Sequence, residues 1–143
     1  MRHEEWLERA KKIQKELDEL CEARERAFEE AGGGTSHWGG TKVQTTKKNT
    51  VEQKYISYID YNDMIERRIN MLYTAKKEIV QAINLVEDGF LRAVLLARYI
   101  NYKTWSVIGE ELNYSCRHIH RLREKAINEF SKANPDIAFY DFV

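Results

Sequence analysis

The chain has 143 residues, with 23 basic and 23 acidic side chains that give a formal net charge of zero, and that length suits one domain or one small domain with an extension. A neutral total excludes a polycation that coats nucleic acid indiscriminately, and cysteines at Cys21 and Cys116 alone exclude a disulfide framework and point to a reducing compartment. No apolar run is long enough to cross a bilayer and the charged N-terminus lacks the apolar stretch of a secretory signal, so a cytoplasmic protein without a membrane partner is expected.

In chain order, Trp6, Ala10, Ile13, Leu17, Leu20, Arg24 and Ala27 recur at spacings of four and three, the signature of a heptad seam. This predicts a helix from about Glu4 to Glu30, ended by Gly32-Gly33-Gly34. The segment 32–49 is rich in Gly, Thr and Lys and reads as a flexible loop. A second long helix is predicted from about Thr50 to Val86. Its seam is Tyr58, Asn62, Ile65, Ile69, Leu72, Lys76, Ile79, Ile83 and Val86. Asn62 and Lys76 are polar interruptions that could set register or oligomeric state at some cost in stability. Neither seam is stable alone in water. The two helices can fold back as a hairpin or pair as a coiled coil with another subunit. Ile13, Leu17, Leu20, Ile65, Ile69, Leu72 and Ile79 are therefore the candidate oligomerisation residues. Residues 1–87 form this region. Asp88-Gly89 breaks the second helix. A third, Phe90 to Ile100, carries Leu91, Val94, Leu95 and Tyr99 into residues 88–134. Pro135, the only proline, ends the last helix, and 135–143 is an apolar tail expected to dock on its own hairpin or on a partner.

The segment from Lys103 to Arg123 is the most informative. Thr104 is a good N-cap, and Val107, Ile108 and Leu112 supply an apolar stripe for a short helix. Gly109 weakens that helix, so close approach of the next helix is the expected reason for it. Asn113 tolerates the left-handed conformation of a tight exit, and Ser115 can cap the helix that follows. In that helix Ile119, Leu122, Ala126 and Phe130 fall on one side, with Arg117, Arg121, Glu124 and Asn128 opposite and His118 and His120 flanking. Between Ser115 and Lys125 the charges are Arg117, Arg121, Arg123 and Lys125 against Glu124 alone. Two short helices, a tight turn and an Arg-bearing second helix describe a DNA-reading helix-turn-helix. Arginines early in such a helix can pair with guanine O6 and N7, or grip phosphates. The candidate DNA contacts are Lys103, Thr104, Tyr114, Ser115, Arg117, His118, His120, Arg121 and Lys125. The competing reading is a solvated charged helix on an all-α core.

The runs Leu91-Arg92-Ala93-Val94-Leu95-Leu96-Ala97-Arg98-Tyr99, Lys103-Thr104-Trp105, Ile108-Gly109-Glu110-Glu111-Leu112-Asn113-Tyr114-Ser115 and His118-Ile119-His120-Arg121-Leu122 resemble region 4 of bacterial sigma factors. More closely, the chain is similar to small proteins encoded by phages and prophages of Gram-positive bacteria, the late-gene regulators of the ArpU and RinA type. The resemblance implies an all-α fold with a sigma region 4-like helix-turn-helix behind a helical N-terminal half. It implies DNA-reading roles for Ser115, Arg117, His118, His120 and Arg121, and structural roles for Arg98 and Tyr99. Nothing in the chain resembles the sigma region that melts the −10 element, so it is not expected to direct initiation alone.

Other chemistries find little support. Cys116, His118 and His120 alternate along a helix, where positions two apart differ by about 200°, so they cannot converge on one metal ion. No phosphate loop, nucleophile elbow or zinc-protease motif is present, and neither enzyme activity nor a cofactor is expected. The expected function is sequence-specific binding of double-stranded DNA by a phage or prophage transcription regulator. The protein is expected to be a homo-oligomer, a dimer above all, with host RNA polymerase as a further partner. Two rivals remain: a small terminase subunit that marks DNA for packaging, and a protein that binds polymerase and no DNA. Native mass separates a dimer from a packaging ring. A fragment from Asp88 to Val143 is expected to keep its fold and to lose the affinity that assembly supplies.

Overall fold

The computed structural model describes the backbone of residues 2–30 and 45–139, and the side chains of 3–30 and 56–137. Within these residues all regular structure is helical: α1 (Arg2–Leu7), α2 (Arg9–Glu30), α3 (Thr45–Ile83), α4 (Gly89–Tyr99), α5 (Trp105–Leu112), α6 (Cys116–Ala133) and a short 3-10 turn at Pro135–Phe139. Most of the expected loop 32–49 lies outside the described residues. Its last five positions are instead the start of α3. No Gly or Pro occurs between Thr45 and Ile83 to interrupt helical hydrogen bonding, so the helix runs for 39 residues.

The single N-terminal helix expected from the heptad is interrupted at Glu8. There the Arg9 Nε donates to the Trp6 carbonyl at 3.1 Å. The backbone bonds Glu8 N to Glu4 O (3.0 Å) and Lys12 N to Glu8 O (3.1 Å) carry the ladder across the interruption.

The chain divides into two compact units, Met1–Lys12 with Leu72–Val143, and Ile13–Met71. This differs from a division at residue 88. The first dozen residues and the end of α3 belong with the C-terminal helices, because their apolar side chains complete the same core. Leu7, Ala10, Ile79, Ile83, Leu95, Ala126 and Phe130 are all fully enclosed, each at 0% exposure. Trp6 lies against Phe130 with ring centroids 6.0 Å apart, and His3 meets the same ring edge-on at 6.2 Å. Asn134 ties this unit together. Its side-chain amide donates to the carbonyls of Ala82 (3.0 Å) and Phe130 (3.2 Å), and its own carbonyl lies 2.9 Å from His3 Nε2. These bonds satisfy a buried polar side chain, without which its burial would be costly.

Local chemistry sets the helix limits of this unit. Asp88 caps α4 by accepting from Phe90 N (2.9 Å) and Leu91 N (3.4 Å). Arg92 reaches back to the carbonyls of Val86 (2.6 Å) and Glu87 (2.8 Å), which follow the end of α3. Pro135 cannot continue α6 and opens the 3-10 turn, which packs on α1 and α6. Of the apolar tail, Tyr140 to Val143 lie outside the described residues.

In the other unit Arg24 Nη1 donates to Asn62 Oδ1 (3.1 Å), Glu16 pairs with Arg68 (3.2 Å), and Phe28 packs on Tyr58 at 5.5 Å. Asn62 is thus a hydrogen-bonded contact of α3 with α2.

Of the seven candidate oligomerisation residues, Leu17, Ile65, Leu72 and Ile79 are buried within the single chain, and Ile13 and Leu20 are half-buried. Ile69 departs from the seam, with 50% of its surface exposed. At about 100° per residue, the buried α3 residues Ile65, Leu72, Ala75, Ile79, Ala82 and Ile83 share an arc of about 100°. Ile69 lies about 40° outside it. A strict seven-residue repeat drifts by about 20° per heptad around a straight helix, so the small residues Ala75 and Ala82 enter the buried face instead.

Candidate nucleic-acid interface

Helices α4, α5 and α6 pack mutually, and the connection between α5 and α6 is set by three residues. Thr104 caps α5, its hydroxyl oxygen accepting from Val107 N at 3.2 Å. Asn113 takes the left-handed conformation at φ 56° and ψ 42°. Tyr114 N then bonds Gly109 O at 2.8 Å and Asn113 N bonds Glu110 O at 3.2 Å, the paired bonds of a Schellman exit. Ser115 caps α6 by accepting from His118 N at 3.2 Å. Each capping hydroxyl keeps its proton free to donate outward.

Gly109 is buried, but α6 does not press on it. A Cβ placed there would lie 3.6 Å from the Tyr114 carbonyl oxygen and 3.7 Å from Ile119 Cβ, which is ordinary van der Waals contact. Close approach is therefore not the reason for this glycine. Gly109→Ala is expected to stabilise the protein by up to about 1 kcal/mol, the helix-propensity difference, and to raise the thermal midpoint by a few degrees. A lowered midpoint would show that α5 and α6 pack more tightly than these distances.

The first turn and a half of α6 is largely exposed. Cys116, Arg117, His118, His120 and Arg121 are exposed and Ile119 is half-buried; full burial on α6 begins only at Leu122. The expected DNA contacts divide by their partners. Lys103 Nζ is held 3.1 Å from both carboxylate oxygens of Glu111. His120 Nε2 lies 3.2 Å from Glu124. The His118 ring stacks on Tyr114, centroids 3.7 Å apart and planes within 8°. Arg117, Arg121 and Lys125 are exposed, and no ion pair or side-chain hydrogen bond involves them among the described residues. The structure thus brings Arg117, Arg121 and Lys125 of α6 onto one exposed face, while Lys103 is neutralised by Glu111.

Behind that face lies a second cluster, which holds the Arg98 and Tyr99 expected to be structural together with an Arg123–Glu4 pair that local sequence patterns did not reveal. Arg123 pairs with Glu4 of α1 and sits 5.8 Å from the Trp105 ring centroid. Arg98 approaches the same ring at 5.7 Å and donates to the Lys103 carbonyl at 3.2 Å. Tyr99 is 2% exposed and meets Trp105 edge-on at 6.5 Å. Burial, and secondarily the Glu4 carboxylate, push the Tyr99 phenol up from its ordinary value. Arg98, Tyr99 and Trp105 are thus packing residues behind the face. The contacts of this cluster span 5 positions from Arg98 to Lys103 and 119 from Glu4 to Arg123, and the longer one lies beyond the reach of periodicity within one helix.

Among the described residues no three His, Cys, Asp or Glu side chains are placed to hold a metal ion, and no helix is long and apolar enough to cross a membrane. No curated protein and no solved structure matches the chain. One protein-family match covers residues 34–131, and so takes in α3, α4, α5 and most of α6. With its long helix, its capped turn and its exposed cationic helix end all inside that span, the chain belongs to the family described as Protein of unknown function (DUF1492).

Proposed function

We propose that the protein binds double-stranded DNA in a sequence-specific manner, with α4–α6 as a trihelical helix-turn-helix unit whose α6 enters the major groove. The observation that carries this reading is the start of α6, where Arg117 and Arg121 stand exposed without partners behind a turn fixed by Thr104, Asn113 and Ser115. A helix start whose outer side chains are exposed can be presented to a groove about 12 Å wide, and unpaired guanidiniums are groups that grip phosphates and base edges there.

The biological role in this reading is that of a transcription regulator of the phage and prophage kind, as the resemblance in residues 91–122 implies. The pairings of Arg24 with Asn62, Glu16 with Arg68 and Phe28 with Tyr58 support an N-terminal hairpin as its scaffold. That scaffold holds two copies together. Its contacts are not the interior residues Leu17, Ile65, Leu72 and Ile79, which the single chain already buries.

Fluorescence anisotropy with a mixed-sequence duplex of about 30 base pairs, over a series of salt concentrations, tests the reading. The full chain is expected to bind, with affinity falling linearly on a log–log plot against salt. The double variant Arg117→Ala/Arg121→Ala is expected to lose at least tenfold in affinity and to show a shallower salt dependence, because two cations are removed from the interface. Both positions are exposed, so the circular dichroism spectrum should not change. Duplex binding that the double variant leaves intact would remove α6 from the interface.

A further inference from the structure

We infer that Arg117 and Arg121 each read a guanine, so that the bound duplex carries two guanines within three consecutive base pairs; this rests on the DNA reading above.

In the unit that holds α6, Arg9 is committed to Glu78, Arg92 to the carbonyls of Val86 and Glu87, Arg98 to the Lys103 carbonyl, and Arg123 to Glu4. Arg117 and Arg121 have no such commitment among the described residues. The one acid on their side of α6, Glu124, is engaged by His120 at 3.2 Å. Two guanidinium forks are therefore available with all their donors.

Geometry then limits what they meet. Residues four apart on a helix are separated by about 6 Å along its axis and turned by about 40°. Successive base pairs rise by about 3.4 Å. Two side chains so placed reach base pairs that are adjacent or have one pair between them. They also lie in the stretch of α6 that precedes its first fully buried residue, Leu122. Lys125, one turn further back, meets the groove wall, where phosphates lie.

Chemistry limits the base. A guanidinium has five donors and no acceptor, in a planar fork. In the major groove guanine presents two acceptors side by side, O6 and N7. Adenine places an amino donor beside its N7, thymine has one acceptor beside a methyl group, and cytosine offers a donor. Only guanine takes both prongs of the fork.

The experiment is selection by the full-length protein from a duplex library with about 20 random base pairs, at one salt concentration, repeated with Arg117→Ala and with Arg121→Ala. The recovered duplexes are expected to share two guanines within three base pairs. Replacing either guanine by 7-deazaguanine, which lacks the N7 acceptor, should weaken binding roughly 5- to 150-fold. Each single variant should lose the preference for one guanine and keep the other. Enrichment of sites without such a pair, or a guanine preference unchanged in both variants, would overturn the inference while leaving DNA binding in place. Failure to retain any duplex would overturn the DNA reading itself, and the inference with it.

Discussion

A fragment running from Asp88 to Val143, which the sequence pattern alone would leave folded, is expected instead to be unfolded, although it contains α4, α5 and α6 complete. These helices do not close their own core. Phe130, fully buried on α6, is covered by Trp6 and His3 of α1. Leu7, Ala10, Ile79 and Ile83 are equally enclosed and come from outside the fragment. Truncating a buried Trp costs roughly 3–5 kcal/mol and a buried Leu roughly 2–5 kcal/mol. Loss of Trp6 and Leu7 alone therefore approaches the 5–15 kcal/mol, roughly, by which a whole domain is stable. The fragment also leaves the Asn134 amide without the Ala82 carbonyl that it bonds at 3.0 Å. Circular dichroism should show little helix and no cooperative melt. In the full chain Trp6→Ala should retain the fold with its stability cut by about 3–5 kcal/mol. A cooperative thermal transition in the fragment would show that α4–α6 hold together without α1 and the end of α3. The same dependence bears on DNA binding: a fragment lacking residues 1–12 is expected to lose affinity through loss of fold, before any loss of avidity.

Local chemistry was legible in the sequence and remote packing was not. Thr104 and Ser115 act on backbone groups three residues away, and Asn113 on its own dihedral angles, so residue type at the right offset was enough. The exposed cations of α6 followed from its phase, because Leu122, Ala126 and Phe130 leave only one side to Arg117, Arg121 and Lys125. The place of α1 had no such signal. His3 meets Asn134 across 131 positions, and Glu4 meets Arg123 across 119. A heptad in residues 6–27 says that an apolar stripe exists, and nothing about which helix its first turns will cover. Asn134 could be read as a residue before proline at a helix end; its bond to Ala82, 52 positions away, could not. Lys103 is a cation beside the turn, as the sequence suggests, but its charge is balanced by Glu111 from the same short helix that it precedes. Ile69 and Gly109 mark a different limit. Both depend on offsets of a few ångströms or tens of degrees, finer than a repeat or a residue preference resolves.

Leu17→Asp and Ile69→Asp are expected to behave oppositely, although one heptad reading places both in seams. Leu17 is 8% exposed, so an aspartate there must be buried as a charge or opened to water with its helix. Either outcome should remove about 3–5 kcal/mol, the size of effect that accompanies an uncompensated buried charge. Ile69 is 50% exposed on α3, where an aspartate stays solvated. Surface substitutions of that kind fall within about 0.5 kcal/mol of neutral. Urea titrations followed by circular dichroism should place the Leu17→Asp midpoint far below that of the parent protein, with Ile69→Asp close to it. Equal, large losses in the two variants would mean that residue 69 is covered in solution. Since the single chain leaves it half open, the cover would then be a second copy, and the Ile69→Asp penalty would grow with protein concentration. A small, concentration-independent effect at Ile69 beside a large one at Leu17 is the result that the α3 phase requires: the buried arc runs through Ile65, Leu72 and Ile79, and residue 69 stands beside it.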